Sequence, residues 1–417
     1  MNWRLPQPLL VPLLLLLCRP SQGTPLLPPV DSQPPGNSSA AAPPPGAVLP
    51  GPSEATPPPA VLPPTGSVGS PLPVPTDQTP PEIALPSPIP LGESLLVSGA
   101  VDGRYRTSNT GRTDQAWLNE AEVDLNRPFT HDGSPIGNIH IQVVAENPPD
   151  APNAQDILLG EAYAMYKLPF QTQTDSTVYL KLGQFQLPFG LLAVSDPHLQ
   201  ILQPLYAQSI GLRTDFGAEV SGRFYGVLNY DISLTSGNGP DHIDIKTNPV
   251  VTFRLGRTFV TRNGTVNVGG SLLQGQLPNT DLSDAYPDAL ELPPSGYVRA
   301  DRGFTSKTRI AGDGTITFKN ITGRGEAMVG ADDNSRVEGY YVEADYRFTP
   351  RANVTLARAV WDYPQNTSIS QRSAIGLTYV LDANLSFSTL YEDLYDSPPN
   401  LTGRTRHQLT FQALLRF

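Results

Sequence analysis

Two stretches decide how this chain folds: TVYLKLGQFQLPFG (Thr177–Gly190) and DFGAEVSGRF (Asp215–Phe224). In the first, Val178, Leu180 and Leu182 alternate with Thr177, Tyr179 and Lys181. In the second, Phe216, Ala218, Val220, Gly222 and Phe224 alternate with Asp215, Glu219, Ser221 and Arg223. Strict alternation specifies strands with one apolar and one polar face. Between the strands lie residues with no strand period, so the segment reads as strand, long loop, strand.

Working outward, the same alternation recurs sixteen times from Gly92 to the C-terminus. Clear instances are Ala121, Val123 and Leu125 against Glu120, Glu122 and Asp124, and Tyr340, Val342, Ala344, Tyr346 and Phe348 against Glu343, Asp345 and Arg347. The strand near Arg351–Tyr363 slips its period at Arg358, so the side that this residue takes is open. Connections alternate between short, as at Lys319-Asn320 and Thr349-Pro350, and long, as at Pro188–Leu212 and Gly275–Phe304. Short turns at one rim and long loops at the other mark a transmembrane barrel. In lipid every backbone amide needs an internal partner, so a spanning sheet must close on itself. The expected fold is all-β: a transmembrane antiparallel β-barrel of about sixteen strands. That size leaves an aqueous interior.

The last strand places His407, Leu409, Phe411, Ala413, Leu415 and Phe417 on one face and Arg406, Gln408, Thr410, Gln412 and Arg416 on the other. The chain ends on Phe417. Phe411, Leu415 and Phe417 resemble the C-terminal assembly signal of bacterial outer-membrane proteins, which implies the outer-membrane assembly machinery as a partner.

Residues 1–23 read as a secretory signal peptide: Arg4, then an apolar run to Leu17, then Ser21-Gln22-Gly23 as the cleavage site. The single cysteine, Cys18, would leave with it. Acylation at Cys18 is the rival, and Leu17 is bulkier than that signal tolerates. Residues 24–91 form a Pro-rich segment that holds half of the chain's 46 prolines. Proline at this density favours an extended, disordered linker. Residues 92–417 then form the barrel. After Leu17 no run approaches the roughly eighteen apolar residues of a membrane helix. The net charge of −11 and pI near 4.9 exclude a nucleic-acid partner.

The runs LNEAEVDLNRPF (Leu118–Phe129), KLGQFQLPFG (Lys181–Gly190), SIGLRTDFGAEVSG (Ser209–Gly222) and VEGYYVEADYRFTP (Val337–Pro350) resemble the phosphate-selective porin O/P group and related bacterial porins. The resemblance covers most of residues 92–417. It implies a homotrimeric sixteen-stranded channel in the bacterial outer membrane, with loops folded inward. Phosphate selectivity in that group depends on converging arginines and lysines. Here the polar faces carry acids and bases in equal number, so phosphate specificity is not transferred. The expected activity is passive diffusion of ions and small hydrophilic solutes.

The candidate constriction residues are Asp196 and His198, on the loop Pro188–Leu212, with Lys181, Asp215, Glu219, Arg223, Arg254, Glu343, Asp345 and Arg347 on the walls. The bland alternative for the loop is packing on the rim. For the wall charges it is a structural salt-bridge network. Neither a cofactor nor a metal is expected: the five histidines (His131, His140, His198, His242 and His407) have no metal spacing, and HExxH and CxxC are absent. Asp281, Asp284 and Asp288 in the longest loop read as solvated carboxylates rather than a calcium site. Two other classes compete with the channel. A barrel enzyme needs a nucleophile, base and orienter, and no histidine lies beside a convincing serine. A plugged structural or adhesin-type barrel needs only loops that fill it.

Overall fold

In the computed structural model the described residues are 86–91, 95–108, 115–132, 134–146, 156–169, 176–194, 205, 209–239, 249–278, 303–363, 368–397 and 404–417. The chain divides into two units, Met1–Pro58 and Pro59–Phe417, and all described residues belong to the second. The expected signal peptide and most of the Pro-rich segment lie outside the described residues.

Alternating sequence becomes a single antiparallel sheet. The strands are β1 (Ile89–Leu91), β2 (Leu95–Ser108), β3 (Gln115–His131), β4 (Ser134–Glu146), β5 (Asp156–Lys167), β6 (Thr177–Gln186), β7 (Thr214–Phe224) and β8 (Leu228–Thr235). They continue as β9 (Val250–Thr261), β10 (Gly264–Pro278), β11 (Phe304–Phe318), β12 (Ile321–Asp332), β13 (Ser335–Thr349), β14 (Ala352–Tyr363), β15 (Ser368–Val380), β16 (Leu385–Ser397) and β17 (Arg404–Arg416). Each strand from β2 to β17 pairs with its sequence neighbour, and β17 returns to β2 in the register Gln408↔Ser108 to Arg416↔Ala100. The terminal residue completes the seam: Phe417 N donates to Gly99 O and Gly99 N to Phe417 O, both at 3.0 Å. The barrel is therefore closed, with sixteen strands in its wall. β1, placed by sequence in the Pro-rich segment, pairs with the start of β2. Pro90 is tolerated because β1 is a short edge strand.

The two faces differ as the period-2 pattern requires. Outside, Val123, Ile141, Leu182, Val220, Ile232, Leu272, Ile310, Val329, Leu356 and Leu377 are exposed. Inside, polar groups such as Asp102, Arg104, Glu122, Glu219, Thr252, Arg372 and Gln412 are buried. A soluble sheet would hide the first set and solvate the second. An exterior of this composition needs lipid around it.

At one rim the connections are mostly tight, at 132–133, 225–227, 262–263, 319–320 and 350–351. Asp132, Tyr225 and Lys319 there have φ near +50°, the left-handed region that tight hairpin turns use. Lys319 sits in the short connection that the sequence marks at Lys319-Asn320, its ammonium 5.5 Å from the Phe318 ring centre. At the other rim the connections 187–213, 236–249 and 279–303 are long, and 333–334 is the short exception.

Candidate functional site

The described residues of the connection between β6 and β7 (187–194, 205 and 209–213) pack against inward positions of the wall. Its limbs are tied at the entrance, where Leu187 N donates to Arg213 O at 3.0 Å. Beyond Phe189 the chain turns through a short 3-10 segment, Gly190–Val194. Gly190 has φ +55°, and a Cβ there would strike the Glu326 carboxylate. The turn thus needs glycine both for its backbone angle and for space.

An apolar interface holds the loop in place. Leu187, Phe189, Leu191, Leu192, Leu205, Ile210 and Leu212 cluster with Val250, Leu273, Leu277, Ala311, Met328, Val337, Tyr341, Ala359 and Trp361. The second set consists of inward positions on β9 to β14. These are places where the polar inner face turns apolar, and each Val, Leu or Met side chain buried there is worth roughly 1.5–3 kcal/mol. Gln142 on β4 accepts a bond of 3.3 Å from Arg213 Nη2, so the trailing limb also touches the opposite wall.

Polar side chains of the same wall satisfy the loop backbone. Gly190 N donates to Ser271 Oγ at 3.0 Å, and Leu191 N to Glu326 Oε1 at 3.2 Å. Arg254 Nε donates to Gly190 O at 3.3 Å. Lys307 Nζ donates to Ile210 O at 3.2 Å, and Arg309 Nε to Ser209 O at 2.9 Å. Arg309 also pairs with Asp332 and lies 5.6 Å from the Trp361 ring centre. Backbone buried against a wall must have its amides and carbonyls paired, and these five side chains pair five such groups at Gly190, Leu191, Ser209 and Ile210.

The residues singled out from sequence fall into three groups. Arg254 belongs to the loop latch and pairs with Asp313 at 2.6 Å. Asp215 is fully buried and clamps the start of the loop after β8: it accepts from Ser236 Oγ (2.7 Å), Gly237 N (2.5 Å) and Gly239 N (3.2 Å). The others stay on the inner wall. Lys181 Nζ is 2.9 Å from Glu219 Oε1, and Arg223 Nε donates to Asn229 Oδ1 at 3.1 Å. Arg324 bridges Glu343 and Asp345, the latter at 2.9 Å. Arg347 faces inward near the tight-turn rim, where its backbone N meets Asn320 O at 2.8 Å. Asp196 and His198 lie outside the described residues. Phe411 and Leu415 point outward, and the Phe417 ring stands where a Cβ on Gly99 would be.

Sequence reasoning did not select Ser271, Lys307, Arg309 and Glu326 as site residues. The signal was present in Leu273, Leu277, Met328, Val337 and Tyr341, which put apolar groups on a face otherwise polar. Among the described residues no cluster of metal-ligating side chains occurs.

No protein-family model and no curated protein sequence matches the chain. Solved structures do match. The outer membrane channel DcaP of Acinetobacter baumannii aligns over 79% of this chain and 100% of its own, with 12% identity and a TM-score of 0.53. The anion-selective porin from Comamonas acidovorans aligns over 78% and 99%, with 11% identity and a TM-score of 0.55. The trimer form of OmpT, an outer membrane protein of Vibrio cholerae, aligns over 78% and 99%, with 8% identity and a TM-score of 0.51. At such identities the likeness is one of architecture: this chain shares its closed barrel fold with these bacterial proteins.

Proposed function

We propose that this protein is an outer-membrane porin: a water-filled channel for passive diffusion of ions and small hydrophilic solutes, narrowed by the loop between β6 and β7. The observation that carries the reading is the docking of that loop. Arg254, Ser271, Lys307, Arg309 and Glu326 all point into the barrel and all bond to loop backbone. An inward loop held this firmly sets a fixed cross-section. Toward the tight-turn rim the inner wall opens, with the Arg324 side chain 31% exposed and Glu161 18%.

The remaining parts of the reading follow the sequence. Residues 1–23 act as the export signal, 24–91 as the linker before the barrel, and Phe411, Leu415 and Phe417 as the contact for the assembly machinery. The barrel works as a homotrimer, a reading supported by the trimeric OmpT of like fold. Phosphate selectivity is not part of the proposal, because Arg254, Lys307 and Arg309 are spent on loop carbonyls. No enzymatic role is proposed.

One observation favours a second reading, a barrel plugged by its own loops. Near the long-loop rim the inward groups Asp102, Glu120 and Arg372 are buried. Purified protein in a planar bilayer separates the two. Stepwise conductance supports the porin, and a silent membrane with folded barrel supports the plug. Deleting residues 199–205 should raise single-channel conductance, and an unchanged value removes the loop from the constriction.

A further inference from the structure

Five glycines share one patch of the outer face. On β10 to β12 the exposed Leu272, Ile310, Ile316, Ile321 and Val329 mark the outward positions. By the same period Gly270, Gly312, Gly314, Gly323 and Gly325 point outward too. Gly270 pairs with Gly312 and Gly314 with Gly325, while Gly312 also pairs with Ala327. The wall itself does not ask for glycine here. None of the five has a positive φ. A Cβ on Gly312 would meet nothing within 4 Å, and on the other four nothing nearer than 3.3 Å. At Gly222, Gly264 and Gly330, by contrast, a Cβ would strike the backbone of the next strand. Glycine inside a strand weakens it, and it often marks the close approach of a ligand or a second backbone. The patch is a trough floored by main chain. Leu272, Ile310 and Val329 close it toward the long-loop rim, and exposed Tyr340 and Val342 wall it on the β13 side.

The other end of the trough leads to cations. Past Ile316 and Phe318 lies the tight-turn rim, where Arg262 and Lys319 are exposed. Their two turns touch, with Lys319 N donating to Asn263 O at 3.4 Å. Arg257 is exposed on β9, its guanidinium 4.7 Å from the Phe259 ring centre. Among the described residues none of these three cations forms an ion pair. The strand ends from Gly256 to Val268 and from Gly314 to Gly323 hold no acidic residue. Bases beside exposed aromatic rings mark the depth of the lipid headgroups. Tight turns of outer-membrane barrels face the periplasm, so the headgroups are those of the periplasmic leaflet.

We propose that the outer face of β9 to β12 binds an anionic phospholipid of the periplasmic leaflet. Its phosphate sits among Arg257, Arg262 and Lys319, and one acyl chain lies in the glycine trough. Charge complementarity selects this occupant. An apolar protein face would fill the trough but leave three cations without an anion. Each base near an anionic lipid surface is worth about fivefold in affinity. Main chain without side chains lets the acyl chain come close enough for dispersion contact along its length. The site is on the lipid side of the wall, so it stands whether or not the barrel conducts.

The test counts retained lipid. Full-length protein is reconstituted in vesicles of phosphatidylcholine with phosphatidylglycerol as the minor component, extracted into mild detergent and weighed by native mass spectrometry. Wild-type barrel should retain phosphatidylglycerol in preference to phosphatidylcholine. Arg257→Gln and Lys319→Gln should each lower that retention about fivefold. Gly312→Val should lower it at least as far while heat-modifiable migration shows an intact barrel, because the wall has room for the side chain and only the acyl chain loses its place. Excess inorganic phosphate, at the ionic strength of a chloride control, should leave the lipid bound, since it mimics the headgroup alone. Displacement by phosphate, equal retention of the two lipids by wild type, or wild-type retention in Gly312→Val overturns the inference. In the last case a weakened oligomer on unheated gels would give the trough to a second copy of the chain.

Discussion

Arg254 and Asp313 meet across an intervening strand. One is on β9 and the other on β11, and their side chains close to 2.6 Å over β10 at Gly269. A Cβ on Gly269 would fall between the Arg254 guanidinium and the Asp313 carboxylate. The glycine is therefore what lets the pair form, and the pair aims Arg254 at the Gly190 carbonyl. Strand pairing, a missing side chain and loop position form one chain of cause.

That chain predicts the behaviour of Gly269→Val. The new side chain should separate the pair and release the loop at Gly190. Single-channel recordings should show larger and noisier openings while the folded-barrel band is kept. Asp313→Ala goes further, since it leaves a buried guanidinium without its acid. Losing one partner of a buried pair costs on the order of 3–5 kcal/mol, which urea unfolding in detergent can read. Wild-type stability and wild-type current noise in both variants would count against the latch.

Phe189 tests the apolar half of the same attachment. It is buried in the cluster that joins the loop to β9–β14. Phe189→Ala should cost about 3–5 kcal/mol if the wall cannot collapse into the space. Proteolysis of the folded barrel should then cut within residues 187–213 sooner than in wild type. Equal protection would place the loop's stability elsewhere.

The seam gives a prediction of its own. Gly99 and Phe417 exchange two backbone bonds, and the Phe417 ring stands 2.6 Å from where a Gly99 Cβ would be. Gly99→Val should displace the ring and weaken closure of β17 on β2. Deleting Phe417 removes both bonds. Both variants should lower the yield of heat-modifiable barrel in the membrane, the deletion more. Normal yield from the deletion would detach the terminal residue from assembly.

Much of the wall was legible in the sequence because a strand's period is local. Each of the sixteen expected strands forms, and Lys181, Glu219, Glu343 and Asp345 take the inward face that alternation assigned. What was not legible depends on residues far apart in the chain. Glu326 meets Leu191 across 135 positions, and Arg309 meets Ser209 across 100. No period encodes those meetings. Asp215 shows the limit from the other side: alternation set its face, but its use as a clamp depends on the turn at Gly237 and Gly239 folding back on it. Arg358 was ambiguous because its apolar neighbours alternate poorly, and only the register Val342↔Arg358 fixes it outward.

Arg358 stands on the outer face in mid-strand, between exposed Val342 and Leu356. Its guanidinium donates to Ser373 Oγ at 2.7 Å, Gln371 Oε1 at 3.0 Å and the Tyr340 hydroxyl at 3.4 Å. All three are neutral, and among the described residues no carboxylate lies within salt-bridge distance. An arginine on the lipid face at the bilayer midplane costs about 2–4 kcal/mol. A neighbouring subunit that covers this face removes the cost and can supply the missing acid. Arg358→Leu should therefore weaken the oligomer on unheated gels while the monomeric barrel stays folded. If the oligomer is untouched and the barrel gains stability of that same size, Arg358 faces lipid, and the subunit contact belongs on another face.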